Sequence, residues 1–394
     1  MKNVLESFRE FSRMSETGVY FADAAGKLKY LPTGELISNA RRFAGGLKKS
    51  GAKPGEPVIL VMTDPESAIL AILGCMIAEC PPTPIYPPVN LGAVSNFLNF
   101  IKHVAARSGA THVVADSQPY GILGNVPKDA PPVRSVLRFS DVMVNARPAE
   151  IPASSPEIAF LQFTSGSTAT PKGVLVTHSS LWANLNMIRD ASHMGRESCV
   201  VTWLPVYHDM GLIGTVLNAI TLPCKLVVIP PIVFLKHPKL WLELITKFHG
   251  THTAAPNFAY GLCVRRVLDP TGIDLGSMTT FICGAEPVLP KTMEDFVEHY
   301  RPYGLKPEAM VPAYGLAEAT LAVTFTPHLR GLKTDKVDLE SLVAGGTAVH
   351  SKNGSKTVRI VSCGVPMNGM KVRIANENGS LDPERMIGEI QILG

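Results

Sequence analysis

The sequence alternates short apolar runs with longer stretches of helical periodicity, and this alternation most constrains the fold. Residues 57–62, 84–86 and 112–115 are apolar runs of the kind that form buried strands. Residues 66–78 and 94–104 place apolar side chains at helical spacing. This β-α-β-α-β order is typical of a mostly parallel sheet covered by helices, so the sequence predicts an α/β fold.

The same alternation begins again near residue 158 and predicts a second lobe. Further strands are expected at 158–163, 174–176, 199–202, 225–229, 251–254 and 280–283. The helical stretches between them include 181–192, 240–248 and 257–267. Two doubly wound βα lobes fit a chain of 394 residues, with the first at 1–157 and the second at 158–328. Residues 118–133 are rich in Pro and Gly and are expected to form a surface connection.

The composition bounds the class of protein. Apolar residues make up 46% of the chain and charged residues 18%, as in a folded protein with a large core. A net charge of +4 gives no reason to expect a nucleic-acid partner. The seven cysteines form no Cys-x-x-Cys pair and are interpreted as buried thiols. No signal-peptide core or long apolar span is visible, so we expect a cytoplasmic protein without integral membrane association.

The segment 164–173 follows an apolar strand and is rich in hydroxyl side chains and glycine. The residues able to donate to phosphate oxygens are Thr164, Ser165, Gly166, Ser167, Thr168 and Lys172. The segment does not fit the Walker A pattern, which disfavours a P-loop NTPase. A flexible surface loop is the alternative, but the apolar strands on both sides favour a polyphosphate cradle.

The segment 203–212 runs from a predicted strand into a predicted helix and contains Tyr207 and His208. An aromatic ring and an imidazole at a helix N-terminus suit a flat ligand or a carboxylate. The alternative is a helix capped by Asp209 with His208 packed beside it.

Two later segments also follow predicted strands. The turn formed by Gly284, Ala285, Glu286 and Pro287 could let an adenine ring lie against the backbone, or could be a simple βα turn. Tyr314, followed by Gly315, could stack on a purine, and Glu318 could hold Mg²⁺ against phosphates. The alternative for this last segment is an ordinary helix start with an exposed glutamate.

These segments together resemble the adenylate-forming superfamily of acyl-CoA synthetases, adenylation domains and luciferases. The loop at 164–173 resembles its phosphate-binding loop, although Ala169 stands where most members have glycine. The turn 284–287 and the Tyr-Gly-x-x-Glu segment 314–318 follow in the family's order. The residue pattern of 203–212 resembles that of the fatty acyl-AMP ligase branch in particular.

The resemblance implies the large N-terminal domain of an enzyme that activates a fatty acid with ATP to acyl-AMP. The loop with Lys172 would hold the phosphates, Glu318 with Thr164 would bind Mg²⁺, and 284–287 with Tyr314 and Gly315 would seat adenine. His208 would close the pocket around the carboxylate. The family's ribose-binding aspartate and small C-terminal domain are absent, so we expect the N-terminal portion of a longer enzyme.

The polar block 329–356 resembles an insertion of the fatty acyl-AMP ligases, which pass the acyl group to an acyl carrier protein of a lipid, polyketide or peptide synthase. Residues 357–394 would begin a β-rich subdomain that is cut at the C-terminus. One alternative is a surface loop in an acyl-CoA or aryl-CoA synthetase. A catalytically silent scaffold that binds a nucleotide or carrier protein is another.

Overall fold

The structure, a computed structural model, describes residues 3–87, 94–123, 130–144, 146–164, 171–352 and 355–394. The chain divides into two compact units. Unit 1 comprises Met1–Asn186 and Gly195–Val233, and unit 2 comprises Met187–Met194 and Phe234–Gly394. The segment boundaries predicted at 157, 328 and 356 stay predictions.

The helices are given in chain order. They are α1 (Val4–Phe11), α2 (Thr33–Lys49), α3 (Pro65–Ile77), α4 (Val94–Ser108), α5 (Ser117–Leu123), α6 (Phe139–Met143), α7 (His178–Ser192), α8 (Asp209–Gly211), α9 (Asn218–Thr221), α10 (Pro231–Lys236), α11 (Lys239–Phe248), α12 (Asn257–Arg266), α13 (Pro290–Tyr300) and α14 (Leu339–Gly345). A π-helical segment, Leu212–Leu217, joins α8 to α9.

The strands are given in the same way. They are β1 (Gly18–Ala22), β2 (Leu28–Pro32), β3 (Val58–Val61), β4 (Pro82–Ile85), β5 (His112–Ala115), β6 (Ser135–Arg138), β7 (Ile158–Thr164), β8 (Lys172–Thr177), β9 (Cys199–Thr202), β10 (Lys225–Val228), β11 (His252–Ala255), β12 (Thr280–Cys283), β13 (Met310–Gly315), β14 (Ala322–Phe325), β15 (Thr334–Asp338), β16 (Thr357–Val361), β17 (Val365–Pro366), β18 (Lys371–Ala375) and β19 (Glu389–Leu393).

One sheet of unit 1 has the strand order β4-β3-β5-β6 and is parallel throughout. The residues of β3, β4 and β5 are all buried, which explains why these strands are mostly apolar in the sequence. Helix α4 packs Phe97 and Ile101 into the core beside Val113. The predicted α/β fold with parallel sheets is confirmed.

The predicted surface connection 118–133 is wrong in its first part, because Ser117–Leu123 forms α5. Tyr120 N donates to Asp116 O in the first turn, and Leu123 is buried in the core. Pro119 lies in the first turn of α5, where the missing N–H of proline is tolerated. The burial of its apolar side chains therefore stabilises this helix in spite of its Pro and Gly residues.

A second sheet of unit 1 is built around β1. Strand β1 pairs in parallel with β10, with Tyr20 opposite Val227, and antiparallel with β2. Strand β10 in turn pairs in parallel with β9. A segment near the N-terminus thus completes a sheet whose other strands lie about two hundred residues further along the chain.

In unit 2, β11, β12 and β13 are parallel neighbours, and β14 and β17 continue the sheet antiparallel. An aromatic cluster forms the core below it. Its fully buried members are Trp241, Tyr260, Phe281, Phe296 and Tyr300. Several ring pairs meet edge to face, as in the pair of Tyr260 and Phe296 with centroids 5.0 Å apart.

The polar block after residue 328 contains regular structure. Strand β15 pairs antiparallel with β16, and α14 lies between them in the sequence. Strands β18 and β19 form a second antiparallel hairpin. Strands β16, β18 and β19 agree with the β-rich character expected for residues 357–394. Among the described residues, no helix combines the length and apolar character required to cross a membrane.

Candidate active site

The hairpin of β7 and β8 carries the predicted phosphate loop at its tip. Thr164 is the cross-strand partner of Lys172, so the two ends of the loop are held side by side. Lys172 is exposed. The phosphate contacts predicted for Ser165, Gly166, Ser167 and Thr168 lie outside the described residues, as does Ala169. A hairpin that brings both loop ends together at an exposed lysine is compatible with a phosphate cradle.

His208 lies in the turn between β9 and α8, and its side chain is half-exposed. Its Nδ1 is 2.8 Å from Asp209 Oδ1, and Met210 N donates to the same carboxylate oxygen at 2.7 Å. The hydrogen bond with Asp209 raises the pKa of His208 and outweighs the opposing effect of burial. Met210 N also donates to His208 Nδ1 at 3.2 Å, so His208 is the N-cap residue of α8 and Asp209 is the first residue of the helix. The ligand role predicted for His208 stays a prediction.

The π-helical segment begins directly behind this turn. A Cβ at Gly211 would lie 2.2 Å from Pro205 O, so only glycine allows the helix to approach the turn this closely. Thr215 Oγ1 donates to Gly211 O at 2.6 Å. Short π segments are frequent at functional sites, and this one follows directly after the His208 turn and α8.

A cavity of about 420 Å³ in unit 1 adjoins His208. Its aromatic walls include Tyr86, Phe100 and Tyr207, and the ring centroids of Tyr86 and Tyr207 are 6.3 Å apart. Pro171, next to Lys172, lines the same cavity. The His208 turn and one end of the phosphate loop thus share a largely apolar space.

Sequence reasoning missed two polar residues beside this cavity. Gln162 lines it from β7, and its Nε2 donates to Tyr207 O at 2.9 Å. His103 on α4 contacts Pro171 O through Nε2. A signal for Gln162 was present, because it is a single polar residue in the apolar run 158–163.

In unit 2, the predicted adenine turn follows β12. Ala285 adopts a positive φ of 65°, a backbone conformation that side chains disfavour. Glu286 Oε1 accepts a hydrogen bond from Phe258 N at 2.6 Å, and Asn257 Oδ1 accepts one from Leu289 N at 2.9 Å. The Glu286 carboxylate therefore caps α12, which fixes the turn that Gly284 and Pro287 belong to.

Tyr314 and Gly315 end β13, the parallel neighbour of β12. A Cβ at Gly315 would lie 2.0 Å from Leu321 O, so this glycine allows the chain to fold back into β14. Glu318 lies in a 3₁₀ turn, Ala317–Ala319, and is exposed. A helix start, the alternative drawn from the sequence, is wrong here, because Leu316 N bonds to Leu321 O and closes the loop.

The two unit 2 segments therefore emerge at the carboxyl edge of adjacent parallel strands, where open α/β sheets bind ligands. In the part of the chain that the structure describes, no group of three His, Cys, Asp or Glu residues could hold a metal by itself. An exposed single carboxylate such as Glu318 fits Mg²⁺, which binds proteins through one or two carboxylates together with substrate phosphates.

The turns of this α/β fold lie at the carboxyl edge of its strands, the place where open α/β sheets bind ligands. The family model described as AMP-binding enzyme matches residues 21–394. The chain belongs to the AMP-binding enzyme family.

Two curated relatives are similar along most of the chain. The long-chain-fatty-acid–AMP ligase FadD26 of Mycobacterium tuberculosis is 33% identical over 95% of this chain and 65% of its own length. The medium-chain-fatty-acid–[acyl-carrier-protein] ligase JamA of Moorena producens is 33% identical over 87% of this chain and 59% of its own. The chain thus spans somewhat less than two thirds of these two relatives.

Solved structures agree with the sequence relatives. A structure from the study of fatty acyl-adenylate ligases of E. coli and L. pneumophila has a TM-score of 0.94 and 29% identity, and the match covers 100% of this chain and 72% of that one. The L. pneumophila fatty acyl-adenylate ligase in complex with acyl adenylate and pyrophosphate has a TM-score of 0.86 and 31% identity, over 100% and 68%. The fold is that of the N-terminal portion of these enzymes.

Proposed function

We propose that this chain is the large nucleotide-binding part of a ligase that activates a fatty acid with ATP and passes the acyl group to an acyl carrier protein. The observation that carries the proposal is the match of the entire chain to fatty acyl-adenylate ligases, one of them solved with acyl adenylate and pyrophosphate. The aromatic cavity beside His208 supports an apolar carboxylate substrate.

In the first step, a carboxylate oxygen attacks the α-phosphorus of ATP, and pyrophosphate leaves. This reaction depends on in-line positioning and on neutralising charge on the phosphates. Lys172 and residues 164–168 would bind the β- and γ-phosphates. Glu318, with Thr164, would hold Mg²⁺, which when bound neutralises phosphate oxygens. Residues 284–287, Tyr314 and Gly315 would seat the adenine.

His208 would close the site around the carboxylate. Since Asp209 raises its pKa, a larger fraction of the imidazole is protonated near neutral pH than in an isolated histidine. A partly cationic ring at the mouth of an apolar cavity attracts the carboxylate and leaves the alkyl chain to the aromatic walls. The imidazole therefore binds and orients the nucleophile and needs no covalent role.

A carrier protein as acceptor is supported by JamA, whose name specifies an acyl-carrier-protein ligase. The block after residue 328, which resembles the insertion of that branch, contains β15 and α14 among its described residues. None of the seven cysteines, all of which lie in the described residues, forms a disulfide bond, and all but Cys363 are buried, which supports a reducing cytoplasmic environment.

The test is ATP–pyrophosphate exchange dependent on fatty acid, measured on the full-length protein. Lys172→Ala should reduce exchange by about 10²–10³-fold, the loss typical of removing one preorganised charge contact. Lys49→Ala, an exposed lysine at the end of α2, is the matched control and should exchange normally. Normal exchange in Lys172→Ala would contradict the role proposed for this lysine. Failure of every carboxylate tested to stimulate exchange would contradict the proposed function.

The acceptor is tested separately by supplying a phosphopantetheinylated carrier protein or CoA. We expect acyl transfer to the carrier protein and little acyl-CoA. Efficient acyl-CoA formation would instead identify an acyl-CoA synthetase, and ATP binding without exchange would identify a silent scaffold.

A further inference from the structure

Gln162 links the strand that leads to the phosphate loop with the turn that carries His208. Its side chain is only 5% exposed, and it lies two residues before Thr164 in β7. Its Nε2 donates to Tyr207 O at 2.9 Å, a contact between residues 45 positions apart. The amide orientation is determined, because the reverse orientation would place two oxygens against each other.

The other atom of this amide is unusual. Gln162 Oε1 is buried and accepts no hydrogen bond from any residue that the structure describes. A buried amide oxygen without a donor destabilises the fold, and most native proteins avoid it. An apolar residue would fill this position in the core of β7 without that penalty. The presence of glutamine therefore indicates a requirement for the donor that reaches Tyr207.

The backbone on both sides of His208 is held by hydrogen bonds. Gln162 holds the carbonyl of Tyr207, and Leu212 N donates to His208 O at 2.8 Å. His208 N donates to Pro205 O at 3.2 Å. With the backbone fixed at these points, the imidazole direction is set by the contact of Nδ1 with Asp209 and by the hydrogen bond that Nδ1 accepts from Met210 N at 3.2 Å.

We propose that Gln162 is a positioning residue for carboxylate activation: through Tyr207 O it sets where His208 stands relative to the strand entering the phosphate loop. The inference rests on the proposed function, in which His208 orients the carboxylate and the loop orients the phosphates. In-line attack requires these two reactant groups in fixed relation, and small misplacements reduce the rate strongly. The Gln162 amide connects the strand that leads to the phosphate loop with the turn that carries His208.

The opposing view is that Gln162 only fills space. Gln162→Met keeps the length and approximate volume of the side chain and removes the donor. Gln162→Glu keeps the shape and replaces the donor nitrogen with oxygen. Because burial favours the neutral carboxylic acid, lowering the pH converts Gln162→Glu into a donor that can again reach Tyr207 O. A space-filling role would give no such recovery.

The experiment measures fatty-acid-dependent ATP–pyrophosphate exchange on the full-length protein across pH. We expect kcat to fall roughly ten- to a hundredfold in Gln162→Met, with a much smaller change in the KM for ATP. Gln162→Glu should be equally impaired at alkaline pH and recover activity as the pH falls. The activity of each variant is divided by that of the wild type at the same pH. This ratio cancels pH effects that arise from His208, Asp209 and the cavity tyrosines, because both proteins contain these groups. Gln118→Met, at an exposed position on α5, is the control.

A second readout does not need activity. The imidazole resonances of His208, followed by NMR during a pH titration, should shift in Gln162→Met and remain unchanged in Gln118→Met. Wild-type kcat together with an unaltered His208 titration in Gln162→Met would overturn the proposal. If the wild type shows no exchange, the proposed function fails, and the His208 titration still decides whether Gln162 positions that ring.

Discussion

The imidazole Nε2 of His103 lies 3.0 Å from the carbonyl oxygen of Pro171, and so joins helix α4 to the end of the phosphate loop. A carbonyl can only accept, so this contact requires the tautomer with a proton on Nε2. His103 is half-buried, on the helix that packs Phe97 and Ile101 into the core. A rigid element thus holds the backbone next to Lys172.

The substitution His103→Leu should weaken ATP binding by releasing this end of the loop. A single hydrogen bond to backbone contributes modestly, so we expect the dissociation constant for ATP to rise about three- to tenfold. Titration calorimetry measures this directly. Arg107→Ala changes an exposed residue of the same helix and should bind ATP like the wild type. Unchanged affinity in His103→Leu would show that the loop is held by other contacts.

Much of the parallel framework was predictable, because buried parallel strands are continuous apolar runs. The expected strands 112–115, 199–202 and 280–283 coincide with β5, β9 and β12. The position of β1 was not predictable. Its parallel partner β10 follows after some two hundred residues, and no local pattern specifies which distant strand it joins.

Substitution of Glu318 tests the metal site. Glu318→Gln preserves size and removes the charge, so binding of Mg²⁺ against the phosphates should weaken. We expect the exchange rate to fall roughly 10²-fold or more, with partial recovery at high Mg²⁺ concentration. Glu308→Gln, at another exposed position of unit 2, is the control. An unchanged Mg²⁺ dependence of exchange in Glu318→Gln would exclude this carboxylate as a ligand.

Site chemistry was only partly visible in the sequence. The motif residues predicted roles for the loop, His208 and Glu318 because their residue types carry the chemistry, and these roles stay predictions. Sequence gave no indication that Glu286 would cap α12 through Phe258 N, because that contact joins two turns 28 positions apart. The same limit applies to the hydrogen bond between Gln162 and Tyr207. Supporting contacts of this kind depend on the folded geometry, and residue type alone does not reveal them.

Two buried histidines predict loss of stability in mild acid. Burial lowers the pKa of His178 and of His252 to about 4 each, against 6.5 for an accessible imidazole. As the pH falls below 6.5, the unfolded chain binds protons that the folded chain cannot, so the free energy of unfolding decreases until the pH reaches the folded pKa. The full effect is roughly 3 kcal/mol per histidine.

The measurement is the thermal unfolding midpoint between about pH 7.5 and about pH 5, where unfolded imidazoles become protonated. The wild type should lose stability on acidification, and the double variant His178→Gln/His252→Gln should lose less. His237→Gln, at an exposed histidine, should retain the wild-type slope. A double variant with an undiminished slope would assign the acid sensitivity to other groups.

The last prediction concerns the ion pair between Arg359 on β16 and Glu294 on α13. Arg359 Nη1 donates to Glu294 Oε2 at 2.8 Å, and Nη2 contacts Oε1, so the pair is bidentate. The hydrogen bond from Arg359 lowers the pKa of Glu294. The pair fastens the β15–β16 hairpin, part of which belongs to the block 329–356, to a helix of unit 2. If that block limits use of CoA, loosening it should relax the choice of acceptor.

We expect Arg359→Ala to increase acyl-CoA formation relative to transfer to the carrier protein, measured by competition between the two acceptors. Because the pair is partly exposed, its loss should reduce stability only slightly, so the variant should remain folded. A point change is preferable to deletion of 330–355, which would remove the pairing partner of β16. Arg373→Ala, on the separate β18–β19 hairpin, is the matched control. An unchanged ratio of acyl-CoA to acylated carrier protein in Arg359→Ala would contradict this prediction. It would show that the ion pair holding the block to α13 does not influence the choice of acceptor.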